Sequence, residues 1–142
     1  MAATPVFFDT NVLVYLFSVD DPAKQQVAER LYVDACADAS ATLSTQVMQE
    51  FYAVTTRTVM HPLAASTARL AAQEFAGQNL VRLEAPMLLK AMDRTTKDSI
   101  SFWDALIVEA ALTGGCRTLY SEDFQDGRAF GPLRVVNPFR AT

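Results

Sequence analysis

Four acidic residues, Asp9, Glu50, Asp104 and Asp123, stand where ordinary surface carboxylates do not belong. Asp9 follows the apolar run Pro5-Val6-Phe7-Phe8, which reads as a buried strand, so it marks a strand's carboxyl end. Asp123 follows Arg117-Thr118-Leu119-Tyr120 in a similar way. Glu50 shares a helical face with Val47, Phe51 and Val54, about 60° from Val47 and about 40° from Val54. Between Phe102 and Leu112 the only charged residues are Asp104 and Glu109, and a helix apolar nearly all round is buried. A carboxylate on an apolar face is costly unless it is paired or holds a cation. Each acid also has a plain structural alternative. Asp9 would serve as a turn residue or cap, although Thr10 and Asn11 are cap-competent too. Glu50 could reach water from the border of its face. Ser101-x-x-Asp104 has capping-box spacing, and a first-turn carboxylate sits at the positive helix end. Ser121-Glu122-Asp123 could be a polar loop. Glu109, about 140° around the helix from Asp104, reads as solvent-facing or structural.

The joint pattern is more specific than its parts. Two acids end strands, one starts a helix and one lies on a core face. In a parallel sheet they can converge on one cleft, where carboxylates repel one another and cannot all stay ionised unaided. A hard, oxygen-loving cation resolves that conflict, and Mg²⁺ or Mn²⁺ suits such ligands. Catalytic zinc does not fit, because His61 is the only histidine and the two cysteines, Cys36 and Cys116, are not paired in sequence. The same arithmetic excludes histidine triads. An all-carboxylate metal pocket suits phosphodiester hydrolysis.

The elements that must position these acids alternate. Pro5-Val6-Phe7-Phe8, Ala41-Thr42-Leu43, Leu80-Val81-Arg82-Leu83, Arg117-Thr118-Leu119-Tyr120 and Leu133-Arg134-Val135-Val136 read as strands. Helices are expected over 12–17 with Thr10 as a cap, from 20–22 to 37, from a Ser44 or Thr45 cap to about 60, and over 63–76, 86–97 and 101–113. This is an α/β chain, one domain over 1–142, with a mostly parallel sheet of about five short strands flanked by helices. Functional groups in such sheets lie beyond the carboxyl ends of the strands.

The motifs resemble those of PIN-domain nucleases, best the bacterial VapC-type toxins of toxin–antitoxin pairs. Phe8-Asp9-Thr10-Asn11-Val12-Leu13 looks like the opening motif and Gln49-Glu50-Phe51 like the second acidic position. Ser101-Phe102-Trp103-Asp104-Ala105-Leu106-Ile107 resembles the third, and Leu119-Tyr120-Ser121-Glu122-Asp123-Phe124 the fourth. The resemblance covers essentially the whole chain and implies a three-layer PIN-like fold. It implies a Mg²⁺- or Mn²⁺-dependent endoribonuclease with Asp9, Glu50, Asp104 and Asp123 as the acidic quartet. Asp9, Asp104 and Asp123, with Glu50 as a further candidate, would hold metal. Thr10 or Asn11, and Ser121, would orient the carboxylates. Glu122 and Asp126 are extra acids that could share the role of Asp123. A homodimer, an antitoxin partner that blocks the site and a part in inhibiting translation or growth are implied as well.

Two other readings compete. A phosphatase of the haloacid-dehalogenase type needs a second Asp two residues after the first, where this chain has Asn11. A non-catalytic binding domain would not need the quartet. For RNA contacts, Lys90, Arg94 and Lys97 make a basic stripe on one helix, with an ordinary solvated face as the alternative. Trp103, in an apolar helix, reads as core or interface ahead of a base-stacking platform, His61 as a helix-end residue, and both cysteines as packing groups. The start of the chain lacks a basic signal-peptide region, and Val12–Phe17 is too short to cross a bilayer, so a cytoplasmic protein is expected. The net charge of −4, from 16 acids against 12 bases, runs against a generic polyanion binder. The quartet alone accounts for that excess.

Overall fold

The computed structural model describes residues 3–140, so the ends of the expected domain lie outside the described residues. In chain order the elements are β1 (Val6–Phe8), α1 (Thr10–Tyr15), α2 (Pro22–Ala37), β2 (Ala41–Ser44), α3 (Thr45–Ala53), α4 (Ala65–Ala76), β3 (Asn79–Val81), α5 (Ala85–Asp98), α6 (Phe102–Thr113), β4 (Thr118–Tyr120), β5 (Ala129–Phe130) and β6 (Leu133–Val136). The strands form one sheet in the order β3-β2-β1-β4-β6-β5, parallel except for β5 against β6. Among the described residues no helix is long and apolar enough to cross a membrane.

The central strands are apolar on both faces because helices cover both faces. Phe7 and Phe8 of β1, Leu43 of β2 and Leu119 of β4 are fully buried. Edge-to-face aromatic contacts tie the helices to one another and to the sheet. Phe8 meets Tyr32, Tyr32 meets Phe75, and Phe75 meets Phe51, with centroids 4.9–5.7 Å apart.

The chain builds outward from β1 through β2 to β3, then returns to place β4 on the other side of β1. The switch point therefore lies between β1 and β4. Register makes their ends level, with Phe8 opposite Tyr120, so Asp9 and Ser121 leave the sheet side by side.

Three details differ from the sequence expectations. The sheet has six strands, because Ala129–Phe130 folds back on β6 through a turn at Gly131, whose φ of 59° favours glycine. A two-residue strand is too short to show alternation. Asp9, not Thr10, caps α1, by accepting the Thr10 N–H at 2.8 Å. Helix α3 stops at Ala53 and gives way to a π-helical turn, Val54–Thr58. There the Thr55 and Thr56 hydroxyls donate back to the carbonyls of Phe51 and Tyr52, at 2.7 and 2.6 Å, in competition with the regular ladder.

Candidate active site

Asp9 is only 5% exposed. Its backbone N–H donates to the Tyr120 carbonyl at 3.0 Å, continuing the β1–β4 pairing by one residue. One carboxylate oxygen caps α1 and the other accepts the Ser121 hydroxyl at 2.7 Å. The Ser121 oxygen in turn accepts the Asp123 N–H at 3.1 Å, which fixes the turn after β4. Glu50 comes from the second turn of α3, the helix that Ser44 caps at the end of β2. Its carboxylate accepts the Thr10 hydroxyl at 2.5 Å and the Gln46 side-chain amide at 3.3 Å. Asn11 donates to Asp123 at 3.3 Å. Asp104 sits in the first turn of α6, where Ser101 accepts its backbone N–H at 3.1 Å.

All four carboxylates border one cleft of about 320 Å³. No lysine or arginine among the described residues borders it. The electrostatic result is consistent across the site. Burial, with added repulsion from Asp123 and Glu50, pushes the Asp9 carboxyl up to about 7, against the bonds from Ser121 and Thr10. Burial also raises Asp104, helped by Glu50 and opposed by Ser101. Burial raises Asp123, with repulsion from Glu122, Asp104 and Glu50 added and the Asn11 bond opposing. The cleft therefore disfavours its own anions, which is the condition a cation reverses. Among the described residues no three Asp, Glu, His or Cys side chains already make a closed metal cage. The donors are oxygens throughout, a hard set that fits Mg²⁺ or Mn²⁺ and not zinc.

The other sequence candidates fall elsewhere. Glu122 turns away from the cleft to the Lys24 ammonium at 2.8 Å, and Tyr15 donates to it as well. Asp126 accepts the Asn137 N–H and lies 3.6 Å from Arg140. Lys90, Arg94 and Lys97 do not border the carboxylate cleft. The predicted basic stripe is broken at its centre, because Arg94 is held by Asp98 at 2.7 Å and by Glu109 at 2.5 Å. Glu109 is thus a buried structural partner and not solvent-facing. A larger cleft of about 530 Å³ lies between β3 and α5, beside Arg82 and Lys90 and away from the quartet.

One residue at the cleft, Gln46, escaped the sequence reading, and another, Trp103, is placed differently from its core alternative. Gln46 is 4% exposed and joins Glu50 to the Trp103 carbonyl, 3.2 Å away, so it ties α3 to the start of α6. Its position four residues before Glu50 on the same face was the available signal. Trp103 is not core: it is 63% exposed at the rim. The apolar run of α6 buries its later turns, and Trp103 lies in the first turn, before burial begins.

The molecule is thus an α/β domain with an acidic cleft at the switch point of its sheet. The PIN domain family matches residues 6–125, and the chain belongs to that family. Among solved structures it is similar to VapC20 of Mycobacterium tuberculosis, a sarcin-ricin loop cleaving toxin, at 21% identity and a TM-score of 0.68. That match covers 84% of this chain and 91% of the other. It is also similar to VapBC2 from Rickettsia felis, solved bound to a DNA fragment from their promoter, at 16% identity and a TM-score of 0.60. There the coverage is 92% and 96%. These likenesses establish a shared fold. No curated protein matches the chain.

Proposed function

We propose that this protein is a divalent-metal-dependent endoribonuclease and the toxin of a toxin–antitoxin pair. The observation that carries the chemistry is a cleft bordered by four carboxylates, of which Asp9, Asp104 and Asp123 are raised by burial and mutual repulsion, with no lysine or arginine among the described residues at its border. Asp9, Asp104 and Asp123 would hold Mg²⁺ or Mn²⁺, with Glu50 beside them. When bound, the cation supplies an activated water and charge stabilisation for phosphodiester hydrolysis. The chain's own part is orientation. Ser121 and the Thr10 N–H fix both oxygens of Asp9. Thr10 and Gln46 fix Glu50, and Asn11 steadies Asp123. Such hydrogen bonds set the direction of the carboxylates before substrate arrives. The buried walls behind Asp9 and Ser121 exclude bulk water from that side.

The toxin role rests on membership of the PIN domain family together with the likeness to VapC20. It brings with it an antitoxin that covers the cleft, a homodimer and a cytoplasmic setting. The chemical test compares wild type with Asp9→Asn and Asp104→Asn on defined RNAs, with and without Mg²⁺. Cleavage is expected only for wild type with metal; cleavage by both variants at the wild-type rate would sink the mechanism. The biological test is expression, with growth arrest relieved by the protein encoded beside it. Expression without growth arrest overturns the toxin role and leaves the nuclease standing.

A further inference from the structure

We propose that the Trp103 indole is a stacking platform for one base of a single-stranded RNA segment entering the carboxylate cleft, an inference that rests on the nuclease reading. Trp103 immediately precedes Asp104, and both border the cleft. Most of its surface is open to solvent, and among the described residues it is the one large exposed apolar side chain at that border. Its position is fixed from two sides. The Gln46 amide holds its carbonyl, and its ring packs edge-on against Phe102 with centroids 5.2 Å apart and an interplanar angle of 66°. A broad, wet, pre-positioned aromatic face beside polar groups is the element that single-stranded RNA recognition uses, because every base offers a π-face.

Charge makes the same point. The chain carries −4 overall, and no lysine or arginine among the described residues borders the cleft. Phosphate attraction, the usual source of RNA affinity, is therefore weak at this rim. Stacking supplies affinity without basic residues. It also selects for unpaired substrate, since a base inside a duplex has no free face. The ring shares its cleft with the apolar Ala53, Val54 and Ile107 and with the Gln46 amide, so a base laid on it would meet apolar surface and a polar edge together.

The test uses the full chain, whose single tryptophan makes emission a report on Trp103 alone. In the Asp9→Asn background with Mg²⁺, a single-stranded oligoribonucleotide should quench the emission, and an abasic oligomer of equal length should not. In otherwise wild-type protein, Trp103→Ala should raise KM for single-stranded RNA about tenfold with kcat changed less than about threefold, while Trp103→Phe stays close to wild type. Equal quenching by the abasic oligomer, or an unchanged KM in Trp103→Ala, overturns the stacking role and leaves the nuclease intact. A fall in molar mass by light scattering in Trp103→Ala, with KM unchanged, would assign the ring to a contact between copies instead. Absence of any RNA binding or cleavage by wild type overturns both readings together.

Discussion

The raised pKa of Asp9 ties metal binding to pH. An unfolded aspartate titrates near 3.8 and this one near 7. Below the lower value both states hold the proton, and above the higher value neither does. Between them the folded state binds more protons, so the stability from this group is lost as pH rises from about 4 to 7. Metal-free wild type should therefore lose more of its Tm over that range than Asp9→Asn, measured by thermal denaturation in matched buffers. Mg²⁺ should restore more stability at pH 8 than at pH 5, because the cation needs the ionised carboxylate. The groups that hold the acids should matter nearly as much as the acids. Ser121→Ala and Thr10→Val should each weaken Mn²⁺ affinity roughly 10- to 100-fold, read by calorimetric titration, with the fold retained. An unchanged affinity in both would mean that those hydroxyls only cap and brace the backbone.

At the scale of elements, α5 and α6 are held together by a buried charge group in place of a purely apolar seam. Removing Arg94 leaves Glu109 buried without a partner, a change that costs about 3–5 kcal/mol in comparable sites. Arg94→Met should show that loss in urea denaturation and leave RNA affinity unchanged, whereas a phosphate contact would show the reverse. The far end of α6 is packed as closely. A Cβ on Gly114 would lie 3.0 Å from the Thr42 methyl and 3.2 Å from a Val81 methyl, so Gly114→Ala should cost about 1–3 kcal/mol. Much of this level was legible in the sequence. The apolar circumference of α6, a cap at Ser44 or Thr45 and the strand-ending Asp9 follow from local pattern alone. Other features depend on partners far along the chain. Arg94 looked like a free cation because Glu109 reaches it across the packing seam, although Asp98, four residues on along α5, was a local partner the spacing offered. Glu122 looked like a cleft acid because nothing local shows that Lys24 and Tyr15 claim it. The π-helical turn came from paired threonine back-bonds, which the apolar spacing of α3 does not register.

For the whole molecule, charge and topology set the terms of binding and assembly. An acidic protein with no lysine or arginine at its cleft among the described residues should bind RNA with a shallow dependence on salt. Between 50 and 200 mM KCl the affinity should fall far less than the roughly 10³- to 10⁵-fold expected of a protein that neutralises 6–10 phosphates. A steep slope in an anisotropy titration would point to a basic surface elsewhere, with the β3–α5 cleft at Arg82 and Lys90 the first place to substitute. The topology has a consequence for timing. The hydrogen bond from Ser121 to Asp9 joins residues 112 apart in the chain, and β4 can align those two only after β1 has waited for almost everything between. Until β4 pairs with β1, Asp9, Glu50, Asp104 and Asp123 lie on separate segments of the chain, so the acidic cleft is a property of the assembled sheet and is lost whenever that one pairing opens.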